Sequence, residues 1–201
     1  MKIQIDKSYP MPCTPEVAWE FLQNLEAVAG CMPGAKITER LDPGRYKGTV
    51  TARVGPATMS FRGEVEMKDI DPAARTLRLL GKGTDSTGSS GAALNLTARI
   101  ENAEGGLCTL VGASEVSMSG KAAAFGGRMM NAVADQILQQ FAQNFAAQVS
   151  RLQAQRVAAG SDPPASAEPV APVAATELNV LALAWTLFRN WLRRLFSRSA
   201  A

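Results

Sequence analysis

An α+β fold, in which a curved antiparallel sheet wraps one long C-terminal helix, is predicted by three features of the sequence. Between residues 46 and 111 apolar and polar side chains alternate with a period of two, the mark of strands with one wet face. From Phe125 to Val149 the apolar residues instead recur every fourth position, at Phe125, Met129, Val133, Ile137, Phe141, Phe145 and Val149, the mark of a helix. Hydrophobic residues make up 46% and charged residues 19% of the 201-residue chain, enough apolar matter for a packed core and too much for general disorder.

The elements follow in chain order. Ile3, Ile5 and Tyr9 fit a short first strand. Pro15 suits the first position of a helix with Thr14 as its N-cap, continued by Glu16–Leu22. Gly30-Cys31-Met32-Pro33-Gly34 breaks the pattern. Strands follow: Tyr46, Gly48, Val50, Ala52 and Val54; then Met59, Phe61, Gly63, Val65 and Met67; then Leu94, Leu96, Ala98 and Ile100; then Leu107, Thr109 and Val111. Asp42-Pro43-Gly44, Gly55-Pro56, Asp71-Pro72 and Gly105-Gly106 mark the turns of a meander of about six strands. The glycine-rich run from Gly81 to Gly91 reads as a flexible connection; it lacks the Gly-Lys-Ser/Thr ending of a phosphate loop. The helix that begins near Phe125 spans about eight to ten turns, with Met130, Leu138 and Leu152 sharing its burial. Sheet and helix together make the helix-grip architecture.

Composition excludes several chemistries. The chain has no histidine, so Ser-His-Asp and Cys-His catalysis and histidine metal sites are ruled out. A formal net charge of +3 is small for a nucleic-acid binder of this size, and none is expected as a partner. Cys13, Cys31 and Cys108 show no CxxC spacing and read as reduced, buried thiols. The N-terminus carries no apolar signal-peptide core, so a cytoplasmic location is expected. Glu64 and Glu66 fall on the wet face of their strand, and neither a carboxylate pair nor a metal set stands out.

Three zones divide the chain: a globular domain over residues 1–157, a Pro/Ala-rich linker over 158–175, and a basic, apolar tail over 176–201. In the tail, Leu178, Leu181, Trp185, Phe188, Leu192 and Leu195 share one helical stripe. Arg189, Arg193 and Arg194 gather elsewhere, and Trp185 and Trp191 suit headgroup depth. The apolar stretch is too short to span a bilayer, so the tail is expected to lie in the interface of the inner membrane, its arginines on anionic lipids. The competing reading is a helix docked on protein.

Several pieces of residues 1–155 resemble the CoxG family of carbon monoxide dehydrogenase accessory proteins, within the START-like or SRPBCC superfamily. They are Pro15-Glu16-Val17-Ala18-Trp19, Cys31-Met32-Pro33-Gly34-Ala35, Tyr46-Lys47-Gly48-Thr49-Val50, Val54-Gly55-Pro56, Phe61-Arg62-Gly63, Ser119-Gly120-Lys121, Phe125-Gly126-Gly127-Arg128 and Phe141. One stretch departs: where the family carries a small-Lys-Gly element after the fifth strand, this chain has Ser89-Ser90-Gly91.

The resemblance implies a non-enzymatic companion of a molybdenum hydroxylase of the carbon monoxide dehydrogenase type. Such a companion would carry a respiratory quinone, menaquinone or ubiquinone, in an apolar cavity and link the hydroxylase to the membrane electron-transport chain. Trp19, Met32, Pro33, Met59, Phe61, Met67, Phe125, Gly126, Met129, Met130, Val133, Ile137 and Phe141 are the candidate cavity residues, methionine being suited to grip a floppy apolar ligand. Two other readings remain open: a polyketide cyclase-like enzyme, and a dehydrogenase maturation factor without a small ligand.

Overall fold

The computed structural model describes residues 1–55 and 57–160. The linker and tail readings therefore lie outside the described residues, except that residues 158–160 continue the last helix. The elements are β1 (Lys2–Met11), α1 (Pro15–Gln23), α2 (Leu25–Cys31), β2 (Ala35–Asp42), β3 (Arg45–Val54), β4 (Ala57–Asp71), β5 (Thr76–Asp85), β6 (Ser90–Asn102), β7 (Cys108–Gly120) and α3 (Gly126–Gly160). Short 3-10 turns precede β7 and α3.

The seven strands form one antiparallel sheet in the order β1-β7-β6-β5-β4-β3-β2. Strands β2 to β7 are the expected meander; β1 returns to pair with β7 over its whole length, longer than the short strand the sequence predicts. Pro10 is tolerated there because β1 is an edge strand.

Two local expectations needed correction. The first helix is in fact two: Asn24 interrupts it and its Oδ1 accepts the N–H of Ala27 at 3.1 Å, capping α2. The Gly81–Gly91 run is mostly strand, with only residues 86–89 connecting β5 to β6. Those glycines are needed for close approach. Gly48, Gly63, Gly83 and Ala92 lie in one row across β3, β4, β5 and β6. A Cβ on Gly63 would collide with the Lys82 carbonyl oxygen, and one on Gly83 would lie 2.9 Å from that of Arg62. The row is a crease where the sheet bends too tightly for side chains.

Helix α3 lies across the concave face and meets it differently along its length. Its C-terminal half packs tightly: Phe145 and Val149 are fully buried, and the Phe145 ring stands edge-on to Phe21 of α1 at 4.9 Å. Leu77, Ile100, Cys108 and Leu110 of the sheet complete this core. Burial of each large side chain contributes about 1.5–3 kcal/mol. A smaller cluster of Ile3, Val54 and Met130, with Met59, Met118 and Phe125 packed on it, closes the opposite end. Among the described residues no helix is long and apolar enough to cross a membrane.

A candidate apolar binding site

Between the two cores the helix and the sheet leave a cavity of about 530 Å³, within the usual range for small-molecule sites. The space exists because facing side chains are small. On the sheet it is bordered by Gly48, Gly63, Gly81, Gly83, Ala92 and Gly112, and α3 contributes Val133 and Ala134 there. The bulkier lining comes from Leu22, Leu25, Val28 and Met32 of the α1–α2 segment, Ile37, Phe61, Leu79, Leu94 and Leu96 of the sheet, and Ile137, Leu138 and Phe141 of α3.

Of the residues expected at the cavity, Met32, Met59, Phe61, Met130, Val133, Ile137 and Phe141 line it. The others do not, for identifiable reasons. Trp19 lies one helical turn before Leu22 and is buried in the packed core. Pro33 belongs to the turn after α2, where Met32 alone points at the cavity. Met67 sits further along β4 and packs on the main core. Phe125 precedes the helix and packs on the small cluster, and Gly126 serves as the junction, with φ 78°. The inward stripe of α3 runs Met130, Val133, Ala134, Ile137, Leu138, Phe141, so Met129 is rotated about 100° away and is exposed.

The stretch from Gly30 to Gly34 is pinned on both sides. Asn144 Nδ2 donates to the Cys31 carbonyl at 2.9 Å, and the Thr51 N–H donates to that of Gly34 at 2.9 Å.

Polar side chains on the concave face are few. Ser114 donates to the Ile5 carbonyl at 3.3 Å. Lys7 and Tyr9, in the inward row Ile3, Ile5, Lys7, Tyr9, Met11 of β1, both line the cavity. Lys7 Nζ lies 2.9 Å from Asp135 Oδ1 on α3, and this hydrogen bond, with the charge behind it, holds the ammonium above its ordinary pKa. Burial pushes the Tyr9 hydroxyl up. Sequence reasoning missed both residues, although the parity set by Ile3 and Ile5 places them inward.

Among the described residues the single carboxylate bordering the cavity, Glu64, is exposed and engaged by Arg45 at 3.2 Å. A trough of about 550 Å³ on the convex side of the crease, lined by Arg62, Lys82, Thr84, Ser117 and Ser119 among others, is polar and shares only the thin glycine row with the cavity. Among the described residues no group of acidic or cysteine side chains is arranged to hold a metal. The three cysteines are free and buried, and burial together with the neighbouring Cys13 pushes the Cys108 thiol up to about 12.

The fold is that of helix-grip proteins of the START type. A conserved protein from Geobacillus kaustophilus superposes with a TM-score of 0.67 at 20% identity, covering 74% of this chain and 96% of that one. The Zhui aromatase/cyclase from a Streptomyces species superposes at 0.56 with 17% identity, over 80% and 99% of the two chains. A START superfamily protein from Mycobacterium smegmatis gives 0.52 with 16% identity, over 74% and 98%. No match was found among curated proteins. The sequence itself matches the carbon monoxide dehydrogenase family CoxG over residues 9–150. That match spans the sheet, the crease, the inward stripe of α3 and nearly all of the cavity lining, and the chain accordingly belongs to the CoxG family.

Proposed function

We propose that this protein is a non-enzymatic carrier of a long apolar ligand, a respiratory quinone, serving a molybdenum hydroxylase of the carbon monoxide dehydrogenase type. The observation that carries the reading is the cavity of about 530 Å³, lined almost wholly by apolar side chains. A quinone ring with part of its isoprenoid chain has the shape and polarity to fill such a space, and the exclusion of water from its length drives binding. The flexible methionines at its wall, Met32, Met59, Met118 and Met130, adapt to a chain with many rotamers. Family membership supplies the partner: a carbon monoxide dehydrogenase-type complex.

A carrier of this kind must meet the bilayer. The tail sequence, with Trp185, Trp191 and its arginines, has interfacial composition and suits peripheral attachment to the inner face of the cell membrane. The full-length protein purified from a respiring bacterial host, extracted with solvent and analysed by mass spectrometry, is expected to yield near-stoichiometric isoprenoid quinone. An empty protein that also takes up no added quinone would refute the carrier reading.

A further inference from the structure

The inner row of β1 places a charged residue among apolar ones. Lys36, Arg62, Glu64 and Lys82 also border the cavity, but each alternates with the inward residues of its own strand, so its side chain leaves from the convex face. Lys7 is different. It lies between Ile5 and Tyr9, and the residue paired with it across the sheet is Gly112, beyond which comes Ala98. Neither neighbour competes for the space its ammonium overlooks. An ammonium has three N–H donors. One is used by Asp135 at 2.9 Å, and no other hydrogen bond or ion pair to a described residue engages Lys7. The Tyr9 hydroxyl, two residues along the same face, likewise makes no hydrogen bond to a described residue, yet its ring borders both the cavity and the packed core.

Extending the carrier reading, on which this step rests, we infer that Lys7 and Tyr9 form the head-group subsite of the cavity: they donate hydrogen bonds to a neutral oxygen acceptor at one end of the ligand, whose apolar body lies along α3. The acceptor is neutral because Asp135 already balances the Lys7 charge. A carboxylate at the same place would meet Asp135 as a like charge. Asp135 is a positioning residue, holding the ammonium at the rim and keeping it charged. The shared chemistry is a carbonyl on a long apolar body, which a quinone and a neutral lipid ester both offer.

Three probes of similar length separate these cases: 2-decyl-1,4-benzoquinone, methyl undecanoate and decylbenzene, titrated into the full chain and followed by displacement of an apolar fluorescent dye. The quinone, the ester or both are expected to bind more tightly than decylbenzene, and the tighter of the two identifies the source. In Lys7→Met, and separately in Tyr9→Phe, the carbonyl probe should lose roughly ten-fold in affinity, as one hydrogen bond to a partly exposed donor is worth. Decylbenzene should be unaffected. Asp135→Asn still accepts from Lys7 and should keep the preference for the carbonyl.

Equal binding of all three probes by the unaltered chain would overturn the subsite while leaving the carrier reading intact. Unchanged carbonyl binding in both Lys7→Met and Tyr9→Phe would do the same. Loss of all three probes alike in Lys7→Met and Asp135→Asn would make the pair a strut between β1 and α3 and also overturn it. Failure of every probe to bind the unaltered chain would instead defeat the carrier reading itself.

Discussion

The two halves of α3 face one sheet and make opposite interiors. Toward the C-terminus, Phe141, Phe145 and Val149 meet Phe21, Leu77 and Ile100, and three polar ties hold the helix: Asn144 to the Cys31 carbonyl at 2.9 Å, Gln153 to the Thr14 N–H at 3.2 Å, and Arg156 to Glu20. Toward the N-terminus, Val133 and Ala134 face a creased, glycine-lined sheet across about 530 Å³, and one tie, Lys7 to Asp135, is made. Both halves use apolar residues at helical spacing. Side-chain volume on the two facing surfaces, rather than hydrophobicity, separates a core from a cavity.

The contrast predicts a graded series of effects. Phe145→Ala opens a void in a rigid, fully buried site and should cost about 3–5 kcal/mol in urea unfolding. Gly63→Ala forces a methyl group into the neighbouring strand; a loss of about 1–3 kcal/mol is expected from the same assay, and a neutral result would show that the crease is not a close approach. Filling the open half should behave differently. Ala134→Trp is expected to change stability by less than about 1 kcal/mol, because the new ring enters existing space, while ligand occupancy is lost. A strongly destabilised Ala134→Trp would mean that the N-terminal half is packed after all.

The smallest effect lies away from both halves, at the β5–β6 turn. Removal from water works to raise the Asp85 carboxyl. The Ser89 hydroxyl at 2.8 Å, the Ser90 N–H at 3.1 Å and the Thr87 hydroxyl at 2.9 Å outweigh it and hold the pKa at about 2. A depressed carboxylate stabilises the fold fully above its unfolded value of 3.8 and loses that contribution as pH falls through about 2. An NMR titration of Asp85 should therefore show its midpoint near 2, and the acid-induced loosening of residues 86–89 should vanish in Asp85→Asn.

Much of this architecture was legible in the sequence because alternation and helical period are direct consequences of which face is buried. The meander, the turn positions, the N-cap at Thr14 and the extent of α3 all follow from such patterns. Helix α2 was not legible: Leu25–Cys31 is short, and Gly30 with Pro33 just beyond reads as a break. The strand character of Gly81–Asp85 was hidden by its glycines, which serve the crease rather than a loop.

At the site, the pattern identified apolar faces but could not tell where the gap between them is filled. Trp19 and Met67 look like cavity residues by type and lie in the core. Met129 belongs to the every-fourth row from Phe125, yet the helix begins at Gly126 and turns it outward. The small residues that create the space, Gly83, Ala92, Gly112 and Ala134, carry no chemical signal of their own.

The central claim is that the open half of the interior holds an apolar ligand. Its most direct test is equilibrium binding of 2-decyl-1,4-benzoquinone to the full-length protein and to its Ala134→Trp variant, each first shown to be folded by circular dichroism. One bound quinone per chain is expected for the parent and none for the variant. Equal uptake by both proteins would place the ligand elsewhere and contradict the claim.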